Sequence, residues 1–256
     1  MNDREYNALP GIRRSDLWKI RQSPMHFRHA MENREEPTPA LVFGQAAHKY
    51  ILEPGTFFDE FSVIPGNIDR RTKNGREAYQ HFEQLAGART IITETDLQAV
   101  MAMRQALLQN PDAREIINGE ILTEQAYTWT DPETGERCKV KADIVTTLGG
   151  QPYIVDYKTT TSCSGFDFEK SCRRYGYDMQ AGMYCTGIDF ATMERHDFAF
   201  IAQEKTAPYA CRVYYCDPSF IEQGERLFHD LLRTYHDCKE KNEWPGYESA
   251  DLYGED

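Results

Sequence analysis

Three strand-like stretches in a row constrain this chain more than any other feature. ILTEQAYTWT, RCKVKADIV and PYIVDYKTT, between residues 120 and 160, are rich in β-branched and aromatic residues. Turn signals at Asp131–Gly135 and Gly149-Gly150 separate them. Stretches joined this tightly must pair as an antiparallel meander, because a parallel crossover needs a dozen or more connecting residues. Residues 153–155 are wholly apolar, as a strand covered on both faces requires. The meander therefore sits inside a larger sheet.

The flanking segments supply the cover. Residues 14–32 read as two short helices broken at Ser23-Pro24, with Ser15 or Asp16 as the starting cap. Residues 40–53 read as a helix carrying Gly44 and His48 and closed by Pro54-Gly55. An irregular stretch with a short strand at Phe61–Ile64 follows. Helices come next at 73–86 and 94–109, with a short strand at Thr90–Thr93 between them, and Pro111 opens another helix. Beyond the meander, helices are expected at 166–174 and 178–189 and strands at 196–204 and 210–216. A long helix starts at Asp217-Pro218, a cap with proline in the first turn, and runs to Lys241. Leu227, Phe228, Leu231, Leu232 and Tyr235 share one of its faces. The expected class is α/β, a central mixed β-sheet flanked by helices. With no linker in view, residues 1–245 read as one domain and 246–256, with four acids and no Lys or Arg, as a loose acidic tail.

The formal charge is −12, from 29 Lys+Arg against 41 Asp+Glu. That balance argues against a protein that coats nucleic acid indiscriminately. No apolar run approaches the roughly 18 residues of a membrane span, and the first residues lack the apolar core of a signal peptide. Seven cysteines occur without a CxxC pair, which reads as reduced, mostly buried thiols of a cytoplasmic protein.

The two turns also set a register. With Gly149-Gly150 as a two-residue hairpin turn, Asp143 lies opposite Asp156, and with Pro132–Gly135 as the earlier loop, Glu124 lies opposite Asp143. The three carboxylates then form a row at cross-strand spacings of about 5 Å. Asp156 and Lys158 are two apart and share a face. Carboxylates in a row repel unless positive charge sits among them. A hard divalent cation, Mg2+ or Mn2+, is the natural partner, and such an ion activates water and polarises a phosphoryl oxygen. Lys158 would then hold the scissile phosphate or orient the attacking water. The plainer alternative is a solvated strand face with an ion pair, Asp156 with Lys158 or Asp143 with Lys141.

Asp143 followed by Asp156-Tyr157-Lys158 resembles the PD-(D/E)XK nuclease signature, in the variant with Asp as second acid found in the RecB nuclease domain and phage λ exonuclease. Gly44-Gln-Ala-Ala-His48 resembles the G-x3-H helix of the RecB-like branch, and Gln180-Ala-Gly-Met-Tyr184 resembles its Q-x3-Y helix, in the family's order. Arg14-Ser15-Asp16-Leu17, Ser23-Pro24-Met25-His26-Phe27 and the stretch from Leu41 to Pro54 are similar to the exonuclease VIII (RecE-like) family, the likeness covering residues 5–245. The resemblance implies a restriction-endonuclease-like core. It also implies a Mg2+-dependent (or Mn2+-dependent) exodeoxyribonuclease with one or two ions per site, which digests linear duplex DNA from its ends, 5′→3′, and leaves single strands for recombination in a phage or prophage setting. Asp143, Asp156 and Lys158 become catalytic, joined by Glu124 through the register. His48, Asp143, Asp156 and the backbone carbonyl of Tyr157 become metal ligands, and Gln180 and Tyr184 contact DNA or support the site. A ring-shaped homo-oligomer and a RecT-like single-strand annealing partner are implied as well.

Basic clusters exist despite the net charge: Arg13-Arg14, then Arg70, Arg71, Lys73 and Arg76, then Lys170, Arg173 and Arg174. Each is either a solvated surface or a set of phosphate contacts. His26 and His29 have no acid nearby and read as structural or surface residues. Two other functions stay open on the same fold: an endonuclease, and a DNA- or protein-binding module without turnover. A covalently closed circle separates the first from an exonuclease.

Overall fold

The computed structural model describes residues 3–33 and 36–249. The chain opens with α1 (Asp3–Ala8), α2 (Arg14–Gln22) and α3 (Pro24–Glu32). Ser23 caps α3 by accepting from the His26 N–H at 3.3 Å, with Pro24 in the first turn, which explains the break between α2 and α3. The cap of α2 is Arg13 rather than Ser15 or Asp16; Asp16 lies in the first turn and accepts from the Arg13 N–H at 3.1 Å. Next come α4 (Pro39–Leu52), capped by Thr38, a short 3-10 turn at Pro54–Thr56, α5 (Phe57–Glu60), β1 (Phe61–Ile64), α6 (Lys73–Ala86), β2 (Thr90–Thr93), α7 (Glu94–Leu107) and α8 (Pro111–Asn118). β1 and β2 pair in parallel as a separate two-stranded sheet. α1 and α5 carry no sequence signal and were not expected.

The second half is β3 (Ile121–Thr130), β4 (Arg137–Leu148), β5 (Gln151–Thr160), α9 (Gly165–Tyr175), α10 (Tyr177–Thr192), β6 (Asp197–Glu204), β7 (Cys211–Tyr215) and α11 (Pro218–Lys241). The main sheet runs β3-β4-β5-β6-β7, antiparallel except for the β5–β6 pair. The hairpin registers are those the turns dictate: Ile144 faces Val155, and Thr123 faces Ile144.

Both faces of this sheet are buried. On one, Ile154, Phe198 and Phe200 pack against Leu17 of α2, Met179 and Met183 of α10 and Phe228 and Leu232 of α11. On the other, Val155, Tyr157, Ala199 and Ile201 pack against Ala47 and Ile51 of α4 and Val100 and Met103 of α7. Each large apolar side chain removed from water here contributes about 1.5–3 kcal/mol.

Alternation along β3 and β4 inverts at one place. Val140 and Ala142 join the α2–α10–α11 side, whereas Ile144, which ordinary alternation would put with them, joins the α4–α7 side. Likewise Trp129 and Tyr127 pack on the first side and Ile121 on the second. The inversion falls at Glu124 and Asp143, the two residues missing from an otherwise continuous ladder. Glu124 has φ 53°, a left-handed conformation in mid-strand.

The segment after α11 packs back on α3. The Met25 N–H donates to Pro245 O at 3.0 Å, Trp244 stacks on Phe27 at 5.2 Å, and Tyr247 lies 5.5 Å from His26. The rest of the acidic stretch, 250–256, lies outside the described residues. All seven cysteines are free thiols, Cys211 and Cys216 partly exposed and the others buried. Among the described residues, no helix is long and apolar enough to cross a membrane.

Candidate active site

The β4–β5 ladder stops at Ile144–Val155, one step before Asp143 and Asp156. From there the Asp143 side chain replaces the ladder: its Oδ2 accepts from the Tyr157 N–H at 2.9 Å. Asp143 and Glu124 thus occupy the point where three strands lose their regular pairing. A non-glycine residue in the left-handed region costs about 1–2 kcal/mol, and such strain collects where side chains must be aimed for function.

α4 approaches this point from the α4–α7 face. Gly44 faces β5, and a Cβ there would make an ordinary contact, 3.6 Å, with Thr159 Oγ1. One turn later His48 Nε2 is 2.6 Å from Asp143 Oδ2, and Nδ1 is 3.3 Å from Glu124 Oε1. Lys141 is ion-paired with Glu124, not with Asp143 as the strand spacing alone suggested. Burial opposes a charged His48, but the Asp143 and Glu124 carboxylates outweigh it and its pKa is raised to about 10. Burial likewise opposes the Glu124 charge, yet His48 and Lys141 bring its pKa down to about 2.

Asp156 and Lys158 lie on the opposite face of β5. Lys158 Nζ is 2.6 Å from Asp156 Oδ2, and Gln180 Nε2 donates to Asp156 Oδ1. Burial and the nearby Asp143 charge push the Asp156 pKa above the usual carboxylate value, against the pull of Lys158. Gln180 is buried, so its position suits support of Asp156 rather than direct contact with DNA. Tyr184, one turn on, lines a cavity with Asp156 and Lys158. Tyr157 reaches the cluster through its N–H, while its hydroxyl donates to Gln203 Oε1 at 2.8 Å.

The residues fit a divalent cation. His48, Glu124 and Asp143 place one imidazole nitrogen and two carboxylate oxygens within 4.8 Å of one another, a donor set that suits Mn2+ or Mg2+. Among the described residues, the buried Asp156 Oδ2 has no donor at hydrogen-bond geometry, and the Lys158 ammonium lies 2.6 Å from it.

Two cavities open on the cluster. One of about 370 Å3 is lined by Arg13, Arg14, Lys139, Lys141 and Tyr6 together with Asp143, Asp156 and Lys158. The other, about 750 Å3, passes His48, Glu124 and Lys158 and ends among Glu53, Asp59 and Glu60. Neither is lined by Arg70, Arg71, Lys73 or Arg76. Arg71 pairs with Asp69 at 3.0 Å, Arg70 covers the Tyr79 ring, Lys73 lies 4.0 Å from Glu77, and Arg76 donates to Arg71 O. Arg173 and Arg174 are exposed on α9 and line neither cavity. Of the three basic clusters, only Arg13-Arg14 adjoins the acids. Sequence reading left out Lys139 and Tyr6. Lys139 is buried and pins α1 by donating to Tyr6 O at 2.9 Å and Leu9 O at 2.6 Å, a contact between segments far apart in sequence.

A five-stranded mixed sheet with an acid in the middle of one strand and acid-x-lysine on the next defines a restriction-endonuclease-like, PD-(D/E)XK core. The chain belongs to the family described as "PDDEXK-like domain of unknown function (DUF3799)", whose match spans residues 14–255. No curated protein matches it. Among solved structures, a protein from Eubacterium rectale described as "Putative exonuclease" superposes with TM-score 0.62 at 12% identity, over 95% of this chain and 87% of its own. A second, SSO0001, gives TM-score 0.33 at 15% identity over 74% and 85%. The first likeness concerns the fold alone.

Proposed function

We propose that this chain is a divalent-metal-dependent exodeoxyribonuclease that digests linear duplex DNA from its ends, 5′→3′, to supply single strands for recombination. The observation that carries the hydrolytic reading is the convergence of His48, Glu124 and Asp143 from one side and Asp156 and Lys158 from the other, where β4 parts from β5. Membership of the PDDEXK-like family supports a nuclease on DNA. The exonuclease direction, the recombination role, a ring-shaped assembly and a RecT-like partner rest on resemblance to the exonuclease VIII family.

His48, Glu124, Asp143 and Asp156, with the Tyr157 carbonyl, would hold Mg2+ or Mn2+, one or two ions per site. When bound, such a metal lowers the pKa of water and polarises a phosphoryl oxygen. The chain's own groups do the rest. Lys158 donates to a non-bridging oxygen of the scissile phosphate and offsets charge that builds up there. Asp156 orients the Lys158 ammonium, and Gln180 fixes the Asp156 carboxylate. Lys141 holds Glu124 pointing inward. Arg14 faces the same cavity as a positive wall for the strand. Residues 1–245 act as one unit in this reading.

The test is an end-labelled linear duplex beside a covalently closed circle, with Mg2+ and with chelator. The expected result is Mg2+-dependent release of nucleotides from the linear form, with the circle intact. Cleavage of the circle would favour an endonuclease, and tight binding without turnover would favour a non-catalytic module.

A further inference from the structure

We propose that the surface formed by α2, α9 and the start of α10 is a track for single-stranded DNA leading to the catalytic lysine. This rests on the nuclease reading above and names what holds the unpaired strand.

The inner end of the track is Tyr177, whose ring centroid is 5.0 Å from Lys158 Nζ. Tyr177 stacks on Tyr175 at 5.9 Å and 29°, and Tyr175 is 47% exposed. Gly176 lies between them in the left-handed region, φ 65°, with Trp18 pressed so close that a Cβ would come within 2.1 Å of the indole. The guanidinium groups of Arg14 and Arg21 lie 5.4 and 4.6 Å from the Trp18 ring. Arg14 is held there by donating from Nη2 to Gly176 O at 2.9 Å. The track continues along one face of α9. Arg174 is 5.6 Å from the Tyr175 ring, and one turn earlier Lys170 is 3.9 Å from the ring of Phe166, which is 68% exposed.

The partner follows from how these cations are paired. Some cations among the described residues are neutralised by carboxylates, as Arg173 is by Glu169 and Arg233 by Glu133. Arg14, Arg21, Lys170 and Arg174 instead have aromatic rings as close partners. A ring attracts a cation without cancelling its charge. In a chain of net charge −12 this leaves a local positive stripe, interleaved with the exposed rings of Phe166 and Tyr175. Phosphates answer the cations, and unpaired bases answer the rings whatever their sequence. A duplex offers the phosphates but keeps its base faces stacked inside, so the occupant that uses both features is a single strand.

The test measures binding by fluorescence anisotropy in chelator across a salt series. The probes are a labelled oligothymidylate and a labelled blunt hairpin duplex. The proteins are wild type, the double variant Arg21→Ala/Lys170→Ala, and the double variant Phe166→Ala/Tyr175→Ala. The charge variant should bind oligothymidylate about tenfold more weakly, with the salt slope smaller by about 1.4, about 0.7 for each lost phosphate contact. The aromatic variant should lose about tenfold with its slope unchanged, because stacking releases no counterions. Hairpin binding should change less in both. Unaltered oligothymidylate binding in both variants, or an equal loss on the hairpin, overturns the track. Thermal unfolding of each variant checks its fold, and Arg21→Glu alone repeats the charge test if a double variant is unstable. Mg2+-dependent digestion is followed separately. A wild type that binds the oligonucleotide without cutting DNA overturns the nuclease reading and leaves the track standing.

Discussion

His48 Nε2 lies 2.6 Å from Asp143 Oδ2 although 95 positions separate the two residues in the chain. One belongs to a helix covering the sheet and the other to the strand position where pairing fails. Their contact joins the α4–α7 layer to the middle of β4. With Glu124 on the other ring nitrogen, a charged His48 bridges the two carboxylates at the place where a metal ion would displace its proton.

A metal that binds this cluster in the folded state alone must stabilise the fold. Mn2+ at 100 times its dissociation constant should add about 2.7 kcal/mol, read as a rise in thermal midpoint. Asp143→Asn and His48→Ala should each remove most of that rise. An undiminished Mn2+ effect in both variants would place the metal elsewhere.

Lys158 is expected to act on the reacting phosphate more than on binding. Lys158→Met should lower kcat on linear duplex by about 10²–10³-fold, the size of loss seen when one preorganised donor is removed, with duplex affinity in chelator nearly unchanged. Asp156→Ala should lose activity at least as fully. Wild-type turnover by either variant rules out the assigned roles.

Glu124 offers a test of backbone strain apart from chemistry. In an ordinary strand, glycine is less stable than alanine by about 0.5–1 kcal/mol. At φ 53° the order should reverse, so that Glu124→Gly is more stable than Glu124→Ala by about 1 kcal/mol, measured by urea unfolding. Both lose the pairs with His48 and Lys141, which therefore cancel in the comparison. Glycine less stable than alanine would mean that Glu124 is not strained.

His196 gives a pH signature away from the site. Its Nδ1 is 2.8 Å from Asp189 Oδ1, and this bond, with burial opposing it, raises the imidazole pKa above its ordinary value. A group whose folded pKa is raised stabilises fully below its unfolded pKa, near about 6.5, and the contribution fades as pH rises through the folded value. The stability difference between wild type and Asp189→Asn should therefore shrink from pH 5.5 to pH 9. A difference independent of pH would show that the pair carries no charge.

Much of this protein was legible in the sequence because the responsible forces are local. Gly149-Gly150 takes up the positive φ of a two-residue hairpin turn, 57° and 86°, and with the loop before Gly135 this turn sets which residues face each other across β3, β4 and β5. The row Glu124, Asp143, Asp156 expected from that register falls where the regular pairing lapses, so the three acids come near one another without facing as ladder partners. Caps such as Asp217-Pro218 marked helix starts for similarly short-range reasons. The Arg70–Arg76 cluster shows the limit: a basic run declares charge, not where it points, and here its members pair with their own neighbours. Lys141 was seen beside Asp143, yet it pairs with Glu124, because only the folded sheet decides which cross-strand acid is nearer.

The sequence by itself determined the strand order of the meander, the facing residues and the residue types available for metal and phosphate chemistry, since turn stereochemistry and side-chain alternation act over a few residues. The tertiary structure alone decided how those residues are shared out. The left-handed turn of Glu124 inverts the alternation of two strands at once, sending Ile144 to one core and Ala142 to the other. That break opens the sheet between Asp143 and Asp156, so that α4 can deliver His48 from one face and α10 Gln180 from the other. No local rule encodes it, because the strain at one residue is offset by packing of helices that lie far from it in the chain.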